Sequence, residues 1–455
     1  MGDPIEGGRR RIVFVLLALA LWAASAASPA RAQRAGPPPA AAVQPADTTD
    51  ETSGASASDP AVSRDRPANE HPFDGWDAVA LPFRVATFPV DLLGDGIHLL
   101  LDATMGPSVA PPPPVRLYRR VTRWGLRPEV GSLGPRSGPA AELVLDRLQP
   151  FRLRTAFSWR EYQTHEAGLR WSGSRGGVEI VGGFDRDAEL HFWGVGADSR
   201  RADEASYLRD RVYGGVEGTL RPPGPVEVGV GLGYEENRLD RGFDGTVPAV
   251  IDRFTPESLY GLGSKTRFFR ASLVADLDRV AMDGLSKRGF GLSLRSSVYV
   301  GAGPTRADFH RVRGTGRAFL PLSGRHLVAL RAAAEVNRSD AGRGVPFFHL
   351  AEMGGEAGGR AYSDQRFRDL DALELTAEWR WEVWRELLNR MRLEGFVFAD
   401  EGAVARRLDE LSSSSLRASF GGGFRLVSPG GEVAQLYWAT GEEGSRVEVD
   451  VGTSF

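Results

Sequence analysis

The sequence contains no cysteine in its 455 residues. A chain without thiols forms neither disulfides nor thiolate metal sites, so thiol redox chemistry and zinc–thiolate folds are excluded. Its 59 acidic and 56 basic side chains nearly balance, and the formal net charge is −3. Nucleic-acid-binding domains are usually strongly basic, so this balance argues against a nucleic-acid partner.

Common catalytic motifs are also missing from the sequence. There is no Gly-x-Ser-x-Gly elbow, no His-Glu-x-x-His and no phosphate-binding loop. The seven histidines are dispersed along the chain and suggest neither a metal site nor a general base. We therefore predict that the protein is not an enzyme and uses no cofactor and no metal.

The first 32 residues read as a secretory signal peptide. Basic residues 9–11 precede a short apolar run at 12–24, and Ala30-Arg31-Ala32 offers a cleavage site of the small-x-small type. The alternative is a membrane anchor, but the apolar run is too short to span a bilayer comfortably. The pattern favours export.

From residue 127 to residue 455 the sequence alternates with a period of two. In 372–381, Glu374, Thr376 and Glu378 alternate with apolar side chains, as residues on the two faces of a β-strand do. A soluble sandwich would bury the apolar face, whereas a membrane barrel turns that face to lipid and fills its lumen with polar groups.

Two features favour the membrane barrel. Many segments alternate for about ten residues, the length that a tilted strand needs to cross a bilayer. Tryptophans lie in strands or at strand ends, as in interfacial aromatic girdles: Trp159, Trp171, Trp193, Trp379, Trp381, Trp384 and Trp438. Sixteen such segments predict an all-β, 16-stranded antiparallel transmembrane barrel. A barrel with an embedded Ser/His or Asp/His catalytic site is an alternative that the pattern leaves open.

Two regions before the barrel have other compositions. Residues 33–75 are rich in Pro, Ala and Ser with few large apolar residues, which predicts a disordered tether. Residues 76–126 are a proline-broken segment whose large apolar side chains need a surface to cover. We predict short amphipathic helices at the periplasmic membrane interface, with a lumen plug as the alternative. Conductance measured before and after deletion of 76–105 would separate the two.

Two stretches stand out within the predicted barrel. Residues 353–369, MGGEAGGRAYSDQRFRD, form a glycine-rich segment in which Arg360 lies between small residues and before Tyr362. Residues 398–402, FADEG, place Asp400 near the end of an alternating strand. The strand count puts the first stretch between strands 11 and 12 and Asp400 on strand 13.

Together these stretches resemble the BamA/TamA-type outer-membrane assembly superfamily. The loop matches the family motif at Gly354, Gly355, Arg360, Tyr362, Arg366, Phe367 and Arg368, and the strand matches at Phe398, Asp400 and Gly402. The loop departs at Gly359, where the family has an aliphatic residue, and at Ala361, where it has glycine. Weaker likenesses lie at 191–199, at 276–279 and at 287–289, so the resemblance covers the barrel region.

In that family the loop folds into the lumen and its arginine meets the strand aspartate. The resemblance therefore implies that Arg360 binds Asp400. A buried arginine needs acidic partners, because a desolvated charge left alone costs several kcal/mol. Glu378 or Glu374, both on the inward phase of the preceding strand, is the further partner that we expect.

The resemblance also implies an outer-membrane location and partners. The last residue, Phe455, resembles the C-terminal signal read by the outer-membrane insertion machinery, so deleting it should impair insertion more than replacing Ser454. Assembly factors of the family carry POTRA domains of about 75 residues, and the region before the barrel is expected to hold none. We predict a factor that assembles or translocates outer-membrane proteins, secreted chains or lipids, its client unknown. The alternative is a passive plugged pore or structural barrel.

Overall fold

A computed structural model describes residues 125–451 of the chain, apart from short gaps. The gaps are residues 135, 147, 244, 264, 284–285, 304, 306, 324, 340–343, 356–357, 388–390, 412–414 and 429–430. The predictions for the signal peptide, the tether and Phe455 lie outside the described residues, and so does the interfacial segment up to residue 124.

The described chain is built almost wholly from strands. The sixteen long strands are β1 Leu126–Ser132, β2 Pro139–Leu145, β3 Phe151–Ser158, β4 Gln163–Gly173, β5 Gly176–Phe192, β6 Ala205–Leu220, β7 Val226–Asp240, β8 Thr266–Asp278, β9 Ser286–Gly301, β10 Asp308–Ser323, β11 His326–Ser339, β12 Asp371–Leu387, β13 Met391–Ala405, β14 Arg417–Ser428, β15 Gly431–Gly441 and β16 Gly444–Val451. Short strands occur at Ala281–Asp283, Ala351–Met353 and Phe367–Asp369.

Helical structure in the described ranges is confined to single turns. Helix α1 spans Val250–Arg253, and 3-10 turns lie at Arg201–Asp203, Phe347–His349 and Leu408–Glu410. None of these helices is long and apolar enough to cross a membrane.

Each long strand pairs antiparallel with the next one along the chain, from β1 to β16. The predicted count of sixteen is confirmed. The glycine-rich segment joins β11 to β12, and Asp400 lies on β13, as the count from sequence placed them.

The sheet is inside-out compared with that of a soluble protein. On β12, Glu374 and Glu378 are buried, whereas Leu375 and Trp379 are 42% and 48% exposed. Large apolar side chains are exposed in the same alternating way on most other strands. Water would oppose such a surface and lipid would not, so the outer face is the lipid-facing one.

Contacts between distant strands show that the sheet is strongly curved. Arg201, in the connection from β5 to β6, donates a hydrogen bond from Nη1 to the carbonyl oxygen of Glu443 at 3.0 Å. Glu443 lies in the turn from β15 to β16, nine strands away. A flat sheet would hold these strands about 40 Å apart, because neighbouring strands are about 4.8 Å apart. The curvature puts the polar face on the inside.

The longest connection joins β11 to β12, and its described residues turn into this interior. Two apolar clusters hold it there. The first joins Val345, Phe347, Phe348 and Leu350 of the connection to Phe192, Tyr207, Phe268, Tyr299 and Phe309 of the wall. The second joins Met353, Tyr362 and Phe367 to Phe396, Phe398 and Tyr437. We call the described part of this connection, residues 344–355 and 358–370, the lumen loop.

The interior therefore differs in two ways from the sequence-based prediction. It is not lined by polar groups alone, because inward aromatic side chains of the wall pack against the lumen loop. Trp193, predicted to lie in an interfacial girdle, is instead only 3% exposed. It follows β5 where the chain turns inward, and the guanidinium of Arg366 lies 5.4 Å from its ring. Trp159, Trp171, Trp379, Trp384 and Trp438 are exposed as expected.

Candidate functional site

Arg360 of the lumen loop reaches the strand aspartate that the motif pairs with it. Its Nε lies 3.0 Å from Asp400 Oδ2 and its Nη2 lies 2.7 Å from Asp400 Oδ1. The backbone N–H of Arg360 also donates to Asp400 Oδ2, at 3.1 Å. Two parallel bonds from one guanidinium to one carboxylate fix both distance and orientation, so Asp400 determines where this part of the loop sits.

The remaining guanidinium nitrogen of Arg360 binds Glu378. Its Nη1 donates to Glu378 Oε1 at 2.6 Å. Glu374, the other acidic residue considered as a partner, lies on the same face of β12 but accepts a bond from Arg331 Nη1 at 3.3 Å. The structure thus brings together Arg360, Asp400 and Glu378, and it directs Glu374 to the neighbouring strand β11.

Glu378 is shared among three arginines. Its Oε2 accepts from Arg380 Nε at 2.7 Å and from Arg425 Nη2 at 3.0 Å, while Oε1 accepts from Arg360. Asp400 Oδ2 also accepts from the hydroxyl of Ser419 at 3.0 Å. Three positive and two negative charges therefore share one buried network that joins the loop to β12, β13 and β14.

The guanidinium of Arg360 also stacks on an aromatic ring. The Cζ of Arg360 lies 3.5 Å from the ring centroid of Phe398, the aromatic residue of the strand motif. Arg425 lies in the same way 4.2 Å from the ring of Phe396. Stacking on a ring stabilises a cation further when water is excluded. Burial alone would lower the pKa of Arg360, but its bonds and charges at Asp400 and Glu378 outweigh this and raise it, so the group stays charged.

The loop departs from the family motif at residue 359 for a local reason. Gly359 has a φ of +91°, and a Cβ at this position would lie 2.7 Å from Met353 Cε. A side chain here would be strained by the backbone and crowded by the methionine. Met353 in turn occupies the space beside Gly402, where a Cβ would lie 2.8 Å from Met353 Cγ. The glycine of the strand motif therefore makes room for the loop.

Ala361, the second position at which the loop differs from the family motif, also fits the residues around it. A Cβ on Gly441 of β15 would lie 3.0 Å from Ala361 Cβ, so the absence of a side chain on β15 leaves room for the methyl group. Gly354 and Gly355 close the loop on itself: their N–H groups donate to Gly358 O at 3.0 Å and to Tyr362 O at 3.3 Å.

Tyr362 ties the loop to β14 and β16. Its hydroxyl donates to the carbonyl oxygen of Ala418 at 3.1 Å, and its own carbonyl oxygen accepts from Arg446 Nη1 at 2.6 Å. Burial raises the pKa of Tyr362, so the hydroxyl remains a proton donor. The ring meets Phe367 edge-on, with 5.5 Å between centroids.

The Arg-Phe-Arg end of the loop binds β6 and the connections that follow β5 and β15. Arg366 Nη1 donates to Ser199 Oγ at 2.9 Å, and its Nη2 lies 2.6 Å from Glu443 Oε1. Arg368 Nη1 donates to the hydroxyl of Tyr207 at 3.0 Å. The loop is therefore held at two places, and the 191–199 stretch that resembled the family supplies part of its second anchor.

Several members of this site were not identified from the sequence. They are Arg380, Arg425, Ser419, Arg446, Ser199, Tyr207 and Glu443. Their strand phase marks Arg380 and Arg425 as inward, which was a usable signal. For Ser199 and Glu443, which lie in connections, the period of two carries no information. Among the residues that the structure describes, no group of three His, Asp or Glu side chains is placed to hold a metal ion.

Fold and site together define a membrane β-barrel whose lumen holds an arginine-anchored loop. The sequence model of the Omp85 superfamily domain matches residues 202–455, more than half of the chain. The protein belongs to the Omp85 superfamily, and it is an outer-membrane β-barrel. The resemblance to the BamA/TamA type is thereby confirmed.

A solved structure of BamA shows the same fold. BamA from Haemophilus ducreyi lacking POTRA domains 1–3 aligns with 74% of this chain and 76% of its own, at 14% identity and a TM-score of 0.50. CdiB from Escherichia coli aligns over 73% and 68%, at 13% identity and a TM-score of 0.45. CdiB from Acinetobacter baumannii aligns over 70% and 57%, at 9% identity and 0.44. No curated protein matches the chain.

Proposed function

We propose that this barrel is an assembly or translocation factor of the outer membrane, acting on outer-membrane proteins, secreted chains or lipids. The observation that supports this most is the network of Arg360 with Asp400 and Glu378, in a chain of the Omp85 superfamily. A barrel that served only as a wall would need no loop fixed through it by five buried charges, since buried ion pairs add little net stability over apolar packing.

In this proposal the Arg360 end of the lumen loop stiffens the last strands of the barrel. It is bonded to β12, β13 and β14 through the buried network and to β16 through Arg446. Strands β1, β2 and β3 are short, with 7, 7 and 8 residues, whereas β5 and β12 have 17 each. Shorter strands share fewer ladder hydrogen bonds, so the wall opens most easily at its first strands.

The proposed orientation follows from the connections. Long connections, including 193–204, 241–265 and 340–370, lie at one end, and the other end has mostly short turns. In outer-membrane barrels the short turns face the periplasm and the long loops face outwards. Clients would then reach β1 from the periplasmic end. The expected partners are the lipid bilayer, the insertion machinery during biogenesis and a client whose class is unassigned; the proposal assigns no chemical step to the barrel.

The second candidate function is a passive, plugged barrel. It is favoured by the two apolar clusters that hold the lumen loop across the interior, because a plug needs the same fixation. Both functions use the same contacts, so the contacts do not distinguish them. What the cell loses when the protein is absent does distinguish them.

Depletion with complementation separates these functions. The full-length protein is depleted in its host, and the folded outer-membrane proteins and the outer-leaflet lipids are then quantified. We expect a subset of outer-membrane proteins or lipids to fall, and the wild-type chain to restore them. Arg360→Ala should insert yet restore them poorly, because the loop loses its anchor. The matched control is Arg238→Ala, an arginine at the exposed end of β7 outside the network.

The outcomes point in different directions. No change in any outer-membrane component on depletion would contradict the assembly function and favour the passive barrel. Full restoration by Arg360→Ala at normal levels in the membrane would show that the anchored loop is not needed for function. Equal failure of Arg360→Ala and Arg238→Ala would indicate a general loss of folding.

A further inference from the structure

A cavity of about 380 Å³ lies between the lumen loop and the wall formed by β5 to β12. Seven arginines line it, against four glutamates. Cavities of this size take small ligands. The excess of guanidinium groups makes the cavity electropositive unless acidic side chains around it neutralise them, and this differs from one wall to the next.

On β6 the arginines are neutralised. Arg209 Nη2 lies 2.7 Å from Asp187 Oδ2, and Arg211 Nη2 lies 2.5 Å from Asp185 Oδ2. In the antiparallel register these aspartates of β5 stand directly opposite their arginines. The sequence therefore places opposite charges across from one another on this wall.

On β8, β9 and β10 the arginines of the cavity outnumber their acidic partners. Neither Arg270 nor Arg295 forms an ion pair or a hydrogen bond with any residue that the structure describes. Arg313 comes within 3.8 Å of Glu335, but that carboxylate also lies 3.2 Å from Arg311. One glutamate thus serves two arginines, and two further arginines are served by none.

The strand register places two of these arginines where their repulsion destabilises the sheet. Arg295 of β9 and Arg313 of β10 are directly opposite residues of the antiparallel pair, and both belong to the inward face of their strands. Like charges directly opposite one another destabilise a sheet. Water hydrates each guanidinium but does not remove their repulsion, whereas an anion between them would convert it into attraction.

We propose that this cavity binds a small multivalent oxyanion of the phosphate class between Arg295 and Arg313. The planar fork of a guanidinium matches two oxygens of a phosphate group, so two forks hold one multivalent anion better than they hold chloride. Arg270 on β8 adds a third positive charge to the same cavity, and Ser297, two residues after Arg295 on β9, adds a hydroxyl. The lumen loop covers the cavity through Phe348 and His349.

The test uses the full-length protein purified in a non-ionic detergent, with sodium pyrophosphate as the probe. Binding is measured by calorimetry and by the shift in unfolding temperature, with sodium chloride at equal ionic strength as the reference. We expect pyrophosphate to bind and raise the unfolding temperature, and chloride to do neither. Arg295→Gln should weaken binding roughly tenfold, as expected for the loss of one charged bidentate contact. Arg238→Gln, outside the cavity, should bind as the wild type does.

A second readout distinguishes a ligand contact from a merely structural role. Without pyrophosphate, Arg295→Gln should unfold at the same temperature as the wild type or higher, because a repulsive pair is removed. With pyrophosphate the order should reverse. Arg270→Gln provides an independent variant on another strand and should also weaken binding. Equal binding by the Arg295→Gln and Arg238→Gln variants would overturn the proposal, as would no binding of pyrophosphate by the wild type.

A phosphate group reaches the lumen either free or on a lipid headgroup. Titration with a short-chain phosphatidic acid below its micelle concentration is the second arm. Stronger binding of pyrophosphate supports a free anion, and stronger binding of phosphatidic acid supports a headgroup; both require Arg295. This site is independent of the proposed assembly function, because binding is measured on the isolated protein.

Discussion

Two sides of the same lumen hold their charges in opposite ways. Beside β12 and β13, Arg360, Glu378 and Asp400 have side chains at most 5% exposed, and each carboxylate oxygen of the pair is partnered. Beside β9 and β10, Arg313 is 52% exposed and Arg295 has no ionic partner among the residues described. Burial makes an unpaired charge too costly, whereas water makes it tolerable. The buried side fixes the lumen loop, and the hydrated side keeps charges available for a ligand.

A third wall lies between these extremes. The Asp187–Arg209 pair on β5 and β6 has side chains 24% and 23% exposed. If exposure determines what a charge contributes, the free energy of unfolding should fall most when an arginine is removed from the buried network around Arg360. The loss should be smaller for the half-buried Asp187–Arg209 pair. It should be close to zero for the hydrated arginines of β8 to β10.

Arg360→Ala should cause the largest loss of stability. It leaves Asp400 and Glu378 buried without their shared cation, and breaking a buried pair in this way costs about 3–5 kcal/mol. We expect that decrease in the free energy of unfolding, measured by urea unfolding in lipid vesicles. Arg360→Lys keeps the charge but loses the two-pronged contact, so its loss should be smaller. A decrease below about 1 kcal/mol for Arg360→Ala would contradict the dependence on burial.

Gly359→Ala should cost about 1–3 kcal/mol, because a left-handed backbone and a crowded Cβ both oppose the methyl group. The clash is with Met353, so Met353→Ala in the same chain should recover the crowding part and leave the backbone part. The unfolding free energies of the two single variants and the double variant give both parts. Additive losses would show that Met353 is not the obstacle.

Much of the fold and the centre of the site could be predicted from the sequence. The period of two gave the strands because each strand separates lipid from a polar interior, and the motif placed Arg360 beside Asp400. Arg425 was not assigned, although its strand phase is inward. It lies on β14 and binds Glu378 on β12. Such a contact between strands that are not neighbours depends on the tilt of the strands, and the period of two in the sequence does not predict that tilt.

The inward aromatic clusters were missed for a related reason. Phe347 and Phe348 lie in a connection, where no period distinguishes a buried side chain from an exposed one. Trp193 was assigned to the girdle because it ends a strand, but the direction that the chain takes after β5 decides which way its ring points. The sequence also named Glu374 as a partner of Arg360; its neighbour on β11, Arg331, takes it instead.

The Asp187–Arg209 pair should show an intermediate effect. A double-mutant cycle with Asp187→Asn and Arg209→Gln should give a coupling energy of about 0.2–1 kcal/mol, as partly exposed pairs do. Raising NaCl from about 0.1 M to about 1 M should reduce it, because the screening length falls to about 3 Å. The same cycle on Arg360 and Asp400 should change little with salt. Equal salt dependence of the two couplings would mean that both are hydrated alike.

Arg270→Gln should have the smallest effect on stability. Arg270 faces the same interior as Arg360, yet no ion pair or hydrogen bond joins it to any described residue, so its removal leaves no carboxylate unpaired. Glutamine keeps a polar, hydrated end on a shorter stem, and substitutions of this kind change stability by at most about 0.5 kcal/mol. The measurement is urea unfolding in phosphate-free buffer, beside Arg360→Ala under the same conditions. A loss above about 1 kcal/mol would show that the hydrated wall relies on its arginines for folding; exposure would then not be what separates the two sides of the lumen.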